Sequence, residues 1–235
     1  VDAAGNGYKL PFATVLTCGT GSFSEETTTM AEKLLRAGTA SNPRGAVAAI
    51  GTATWNTHTL FNNIVDMGIY EGLFADKVPT AGGALASGKL ALYNTYPANT
   101  DNWVSAFTQW NNLMGDPATH LYTDTPVVLA VEHLESIPSG SNYLDVNVQN
   151  DAGDNVKNAR VTLWYRTIQS PLNVYTDENG YAKFDLSDLN SNSYTITVTK
   201  YNHQPYSGTI DVYSNGAILN VVESDIILDD SQGNG

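Results

Sequence analysis

Residues 9–23 read KLPFATVLTCGTGSF, and the order of these parts decides how the N-terminal half folds. Leu10 to Thr17 carries no charge and little alternation, the pattern of a strand buried on both faces in a helix-covered parallel sheet. At its carboxyl end stands Cys18, the only cysteine of the chain. Gly19 and Gly21 let the backbone turn sharply after it and approach a ligand. Ser22 and Glu25 fit a capping box, Glu26 adds charge to a first helical turn, and Met30, Ala31, Leu34 and Leu35 form an apolar stripe. Lys33 and Arg36 fall in the last turn, and Gly38 is placed to end the helix. This reading sets Cys18 a few residues before a helix N-terminus, whose N–H groups would favour a thiolate and an oxyanion.

Two readings of the thiol stand side by side. A free cysteine at the end of a core strand is commonly inert packing. A reactive one needs a histidine close in space. Of the four histidines, His120 falls in a short strand near 118–122, and His133 and His203 fall in a separate β region. His58 stands near a helix start after a second buried strand. Loops after neighbouring parallel strands share one sheet edge, so His58 alone is a candidate local base.

Outward from this stretch, the first half alternates strand and helix. Gly45-AVAAI-Gly51 is the second buried strand and runs on through Thr52-AT-Trp55. Leu60, Phe61, Ile64 and Val65 share a helical face that continues past Gly68 towards Phe74. Further helices are expected over 84–96 and from an Asp101 N-cap through Trp103, Phe107, Trp110 and Met114, closed by Gly115-Asp-Pro117. Trp103 and Trp110 read as a core face. Trp55 follows a strand end at the same sheet edge as Cys18, as a partly buried loop aromatic or as a pocket wall.

From Val127 the period becomes two. Leu144, Val146 and Val148 alternate with polar neighbours, as do Val161, Leu163 and Tyr165, and Tyr194, Ile196 and Val198. About seven short strands in this half suggest a β-sandwich. Residues 174–186 read as a turn between strands with Gly180 at positive φ. The Asp-rich loops at Asp151–Asp154 and Asp177–Asn179 could hold calcium, but neither matches an EF-hand, and solvated turn residues are the better reading. No catalytic set stands out in this half, whose expected work is to buttress or space the first.

The net charge is -13, from 24 acidic and 11 basic residues. Such a surface excludes a nucleic-acid footprint, which must be basic. With one cysteine there is no internal disulfide, and no apolar run reaches the roughly 18–20 residues of a membrane-spanning helix.

Taken together, residues 6–23, the MAEKLLRAG of 30–38, the PRGAVAAIGTATW of 43–55 and the NLMGDP of 112–117 resemble, in order, landmarks of the gingipain-type cysteine peptidases. The resemblance implies the second part of a caspase-like α/β three-layer domain over residues 1–125, an immunoglobulin-like β-sandwich over 126–224, and an acidic linker or tail over 225–235. It implies a secreted or cell-surface, bacterial-type endopeptidase acting on peptides or proteins without a required cofactor. Cys18 matches the nucleophile, its turn with Gly19 the oxyanion side of the site, and Trp55 the aromatic wall of the primary specificity pocket. The family's base is a His-Gly histidine upstream of the cysteine, yet none of the 17 residues before Cys18 is histidine. The expectation is therefore an upstream segment that supplies the histidine, either an N-terminal fragment of the same precursor cut from this chain or the preceding part of a longer chain of which these 235 residues are an excerpt. Further C-terminal domains would follow the end at Asp229–Gly235. The alternative is an inactive peptidase-like scaffold serving adhesion or a filament. The glycines around Cys18 speak against that alternative, because the sequence suggests no packing purpose for them.

Overall fold

A computed structural model describes residues 4–165, 171–186 and 189–214. The expected tail at 225–235 lies outside the described residues. The chain divides into two compact units, 1–125 and 126–235.

In the first unit, β1 (Phe12–Val15) pairs in parallel with β4 (Ala48–Thr52), which pairs antiparallel with β5 (Asn111–Met114). Between β1 and β4 come α1 (Met30–Arg36) and a small hairpin of β2 (Gly38–Thr39) and β3 (Asn42–Pro43). Then follow α2 (Thr59–Phe74), α3 (Ala81–Thr95) and α4 (Trp103–Trp110). Every residue of β4 is buried, as a central strand between two helical layers requires. Ala48 and Ile50 join a core with Val65, Ile69 and Leu73 of α2, Ala84 and Leu92 of α3, and Phe107 of α4. Ala49, equally buried, alternates to the opposite face, and α1 packs on the sheet.

Several expectations change. Among the described residues β1 is an edge strand, and it is half-buried at all four positions, short of the full burial expected of it. The first helix begins at Met30, well beyond Ser22. Its N-cap is Thr29, whose N–H and hydroxyl donate to the Glu32 carboxylate at 2.8 and 2.9 Å. Ser22 is buried in the preceding turn and Glu25 is no cap. The last helix starts at Trp103 behind Asn102 and stops at Trp110, because Asn111–Met114 is drawn into the ladder beside β4. Its core face is Val104 and Phe107, while Trp103 is 43% exposed. His120 makes an isolated bridge to Thr80 instead of belonging to a strand.

The described residues of the second unit form two sheets. One has the order β10 (Leu172–Tyr175), β9 (Arg160–Trp164), β12 (Ser193–Thr199), β13 (Tyr206–Tyr213), β7 (Ser136–Pro138). The other has the order β11 (Tyr181–Asp185), β8 (Tyr143–Asn150), β6 (Leu129–His133). Leu144, Val146, Val148, Val161, Leu163, Ile196, Val198 and Phe184 meet in one core, as the period-two reading requires. The 174–186 turn lies between strands as read, and passes from β10 in one sheet to β11 in the other. Gly180 does take φ +75° there. The Asp177 carboxylate accepts the N–H groups of Asn179 and Tyr181 at 2.8 and 2.9 Å. Asn150 Oδ1 likewise accepts from Ala152 and Asp154 at 3.0 and 2.7 Å. The oxygens of both loops thus hold their own backbones in turns.

Candidate active site

The turn after β1 is built by Thr20. Its Oγ1 lies within hydrogen-bonding distance of the carbonyls of Val15 and Thr17 and accepts the N–H of Thr52 at 3.2 Å, so one hydroxyl ties the turn to both parallel strands. The Gly19 N–H donates to Thr54 O at 2.7 Å and the Gly21 N–H to Thr52 O at 3.1 Å. The turn therefore runs on alongside the end of β4.

Both glycines are demanded by packing. A Cβ on Gly21 would lie 2.6 Å from the carbonyl carbon of Gly51, and one on Gly19, at φ +68°, would lie 2.8 Å from the Trp55 ring. This corrects the expectation that the glycines have no packing purpose. They admit close approach of β4 on one side and of an indole on the other.

Cys18 is exposed at the crest of this turn. Its Sγ is 3.0 Å from Thr57 Oγ1. The Thr57 hydroxyl holds the thiol below its ordinary pKa, the Thr57 N–H and Cys18's own N–H act in the same sense, and desolvation opposes them without reversing the shift. Hydrogen-bond donation to the charged form is the physical cause. No N–H of α1 is among the causes of the shift; its Ala31 N–H donates to Thr20 O at 3.0 Å. Gly19's N–H is likewise committed to Thr54. Among the described residues the Cys18 N–H makes no backbone–backbone hydrogen bond.

Trp55 is 65% exposed and lies over Gly19. Its Nε1–H donates to Glu25 Oε1 at 3.1 Å. The structure thus brings Cys18, Gly19 and Trp55 together. His58 does not join them. It caps α2, its Nδ1 accepting the Leu60 N–H at 3.2 Å, and its ring meets Phe61 edge-on at 5.7 Å. His133 and His203 belong to the second unit, where His133 bonds Tyr206 and Leu134 and His203 bonds Tyr201. No hydrogen bond joins a histidine to Cys18 among the described residues. Sequence reasoning missed Thr57, Thr20 and the Trp55 partner Glu25, since no local pattern links residues that meet only across two strand ends. Asn62 was missed too: its Nδ2 donates to Leu16 O at 3.0 Å, tying α2 to the approach of the turn.

The fold recurs in solved structures of known proteins. The crystal structure of the Arg-specific cysteine proteinase gingipain R superposes with a TM-score of 0.71 at 22% identity, over 88% of this chain and 46% of that one. The complex of Porphyromonas gingivalis RgpB pro- and mature domains matches at 0.71 and 22%, over 88% and 48%. A third structure, described only as a protease, matches at 0.70 and 16% over the same shares as the second. The chain thus spans about half the length of the solved structures it matches. At these identities the likeness establishes the fold, the gingipain caspase-like α/β arrangement followed by a β domain. A search of the curated proteins finds no match. The model of peptidase family C25 matches residues 1–122, and with half of the chain inside it, including the Cys18 turn and Trp55, the protein belongs to peptidase family C25.

Proposed function

We propose that this chain carries the nucleophile side of a secreted or cell-surface cysteine endopeptidase, and that an upstream segment of the same precursor brings the histidine. The observation that supports it is Cys18 itself. An exposed thiol, held below its ordinary pKa by Thr57, stands at the carboxyl end of a parallel strand in a family C25 chain. In the reaction, the Cys18 thiolate adds to the scissile carbonyl carbon, and the Cys18 N–H donates to the oxyanion. Collapse breaks the C–N bond as the histidine's proton passes to the departing amine, leaving a thioester. Water, deprotonated by the same histidine, releases the acid and returns the thiol. Trp55 walls the primary pocket. These steps call on no cofactor. Among the described residues no helix is long and apolar enough to cross a membrane.

The test is alkylation by iodoacetamide in the assembled protein, upstream segment included. Cys18 is expected to react faster than an unperturbed thiol, and Cys18→Ala to reduce peptide hydrolysis on the order of 10⁴-fold or more. A rate equal to that of a free thiol overturns the nucleophile assignment. It would favour the scaffold reading, for which the observation is that no described histidine bonds Cys18.

A further inference from the structure

The aromatic cavity beside the α2 N-terminus has no part in the site described so far. It measures about 410 Å³, within the ~300–1,000 Å³ usual for ligand pockets. Phe61, Tyr96, Pro97, Asn99, Trp103 and Val104 are among the residues that line it, and no charged side chain is in the lining. Phe61 is stacked on Trp103 at 6.2 Å and 20° and meets Phe107 at 4.9 Å and Tyr96 at 5.4 Å. Phe107 is wholly buried whereas Trp103 remains 43% exposed. The cluster is thus anchored in the core at one end and open at the other.

Topology puts residues that line this cavity on the Cys18 edge of the sheet. α2 starts just after β4, which runs parallel to β1. α3 returns antiparallel to α2: Gly72, near the end of α2, meets Ser87, and Phe61 at its start meets Tyr96 at the end of α3. β5 also begins at this edge, Asn111 pairing with Thr52. The connection is short. Thr57, which touches Cys18 Sγ, precedes the first turn of α2, and His58 leans on Phe61 at 5.7 Å.

The Asn99 loop is held in place by specific residues. Asn99, Asp101 and Asn102 all take left-handed backbone conformations, which Asn and Asp tolerate best. The Asn99 side chain accepts the Ser105 N–H at 3.1 Å and donates to Ser105 Oγ at 2.8 Å. A loop pinned this way keeps the cavity open without a ligand.

We propose that this cavity is a secondary substrate subsite, which takes an uncharged aromatic side chain of the peptide at a position remote from the scissile bond. The proposal rests on the endopeptidase reading for its substrate. An engineered cavity of about 150 Å³ accepts a benzene ring, so the space suffices for a ring and its flanking backbone. The uncharged lining gives Arg or Lys no counter-charge, whereas Trp103 and Phe61 offer ring faces and edges for stacking. An extended peptide advances about 3.3 Å per residue and one helical turn about 5.4 Å. With Thr57 against Cys18 Sγ and Phe61 in the first turn of α2, the subsite is assigned to a side chain a few residues from the scissile bond.

The experiment has two arms. In the first, the 235-residue chain carrying Cys18→Ser is titrated with N-acetyl-phenylalaninamide, N-acetyl-alaninamide and N-acetyl-lysinamide, followed by the resonances of Phe61 and Trp103. The phenylalanine amide is expected to shift them saturably and the other two not. Trp103→Ala should abolish the shift of Phe61. Ala98→Phe, which fills the mouth from an exposed lining position, should abolish the shifts without deleting a wall. In the second arm, the assembled peptidase is given peptides with Phe or Ala at successive positions. One remote position should raise kcat/KM about tenfold, and Ala98→Phe should erase that preference. Absent or equal shifts with all three amides, or shifts unaffected by both variants, overturn the subsite even if Cys18 proves reactive. An unreactive Cys18 with intact ring binding overturns the endopeptidase reading and, with it, the cavity's assignment to substrate.

Discussion

Strand β8 of the second unit alternates buried and exposed positions along most of its length, whereas in the first unit β4 is buried throughout and β1 half-buried throughout. The β-sandwich therefore stabilises itself by one continuous core between two sheets. The α/β unit depends on one central strand, keeps an edge strand partly open, and collects exposed Cys18 and Trp55 at the strand ends. Where a strand alternates, each residue does one job. Where it does not, the ends of the strands carry the chemistry, and small residues such as Gly51 permit the close approach that holds it.

The largest effect on stability is expected in the sandwich. Phe184, wholly buried in its core, should cost about 3–5 kcal/mol when replaced by Ala. Amide exchange in β8 reads this directly, and an equal loss of protection in β4 would break the contrast by showing that the two units unfold as one. In the α/β unit, Gly21→Ala places a Cβ against the Gly51 backbone, which has no flexible end to give way. The expected cost is about 1–3 kcal/mol, seen in denaturant melts together with displacement of Trp55 fluorescence.

Smaller still is the cap. Thr29→Ala should cost about 1 kcal/mol. Glu32, held below the usual carboxylate range by the Thr29 N–H and hydroxyl, contributes above its unfolded pKa and loses that contribution as pH falls through the lowered folded value. The gap between wild type and Thr29→Ala should therefore narrow in acid. The subtlest change is Thr57→Val, which removes the hydroxyl while keeping the N–H. The Cys18 titration, followed by thiolate absorbance or the pH dependence of alkylation, should move upwards. An unmoved titration would mean that Thr57 does not activate the thiol.

Much of this fold is legible along the chain because its periods are local. Strict alternation is absent from the strands of the first half and present from Leu144 to Val148 and from Tyr194 to Val198, where the buried positions fall as read. The strand before Cys18, the buried Ala48–Thr52 strand and the helix through Phe61 to Phe74 are equally plain. The boundaries misread are those where a long-range partner overrides propensity. Asn111–Met114 leaves a helical pattern to pair with β4. The first helix waits for Thr29 because Ser22 is buried in the turn.

The sequence by itself determined that a lone cysteine ends a parallel strand, that glycines follow it, and that an α/β half precedes a β half, since these follow from hydropathy period and residue type. Only the tertiary structure decided that Thr57 meets the thiol, that the glycines make room for Trp55 and Gly51, that His58 faces Phe61 instead of Cys18, and that residues lining an aromatic cavity gather at the same sheet edge. Each is a contact between residues about 30 or more positions apart or a choice of helix face, fixed by how strands and helices stack and not by any local pattern.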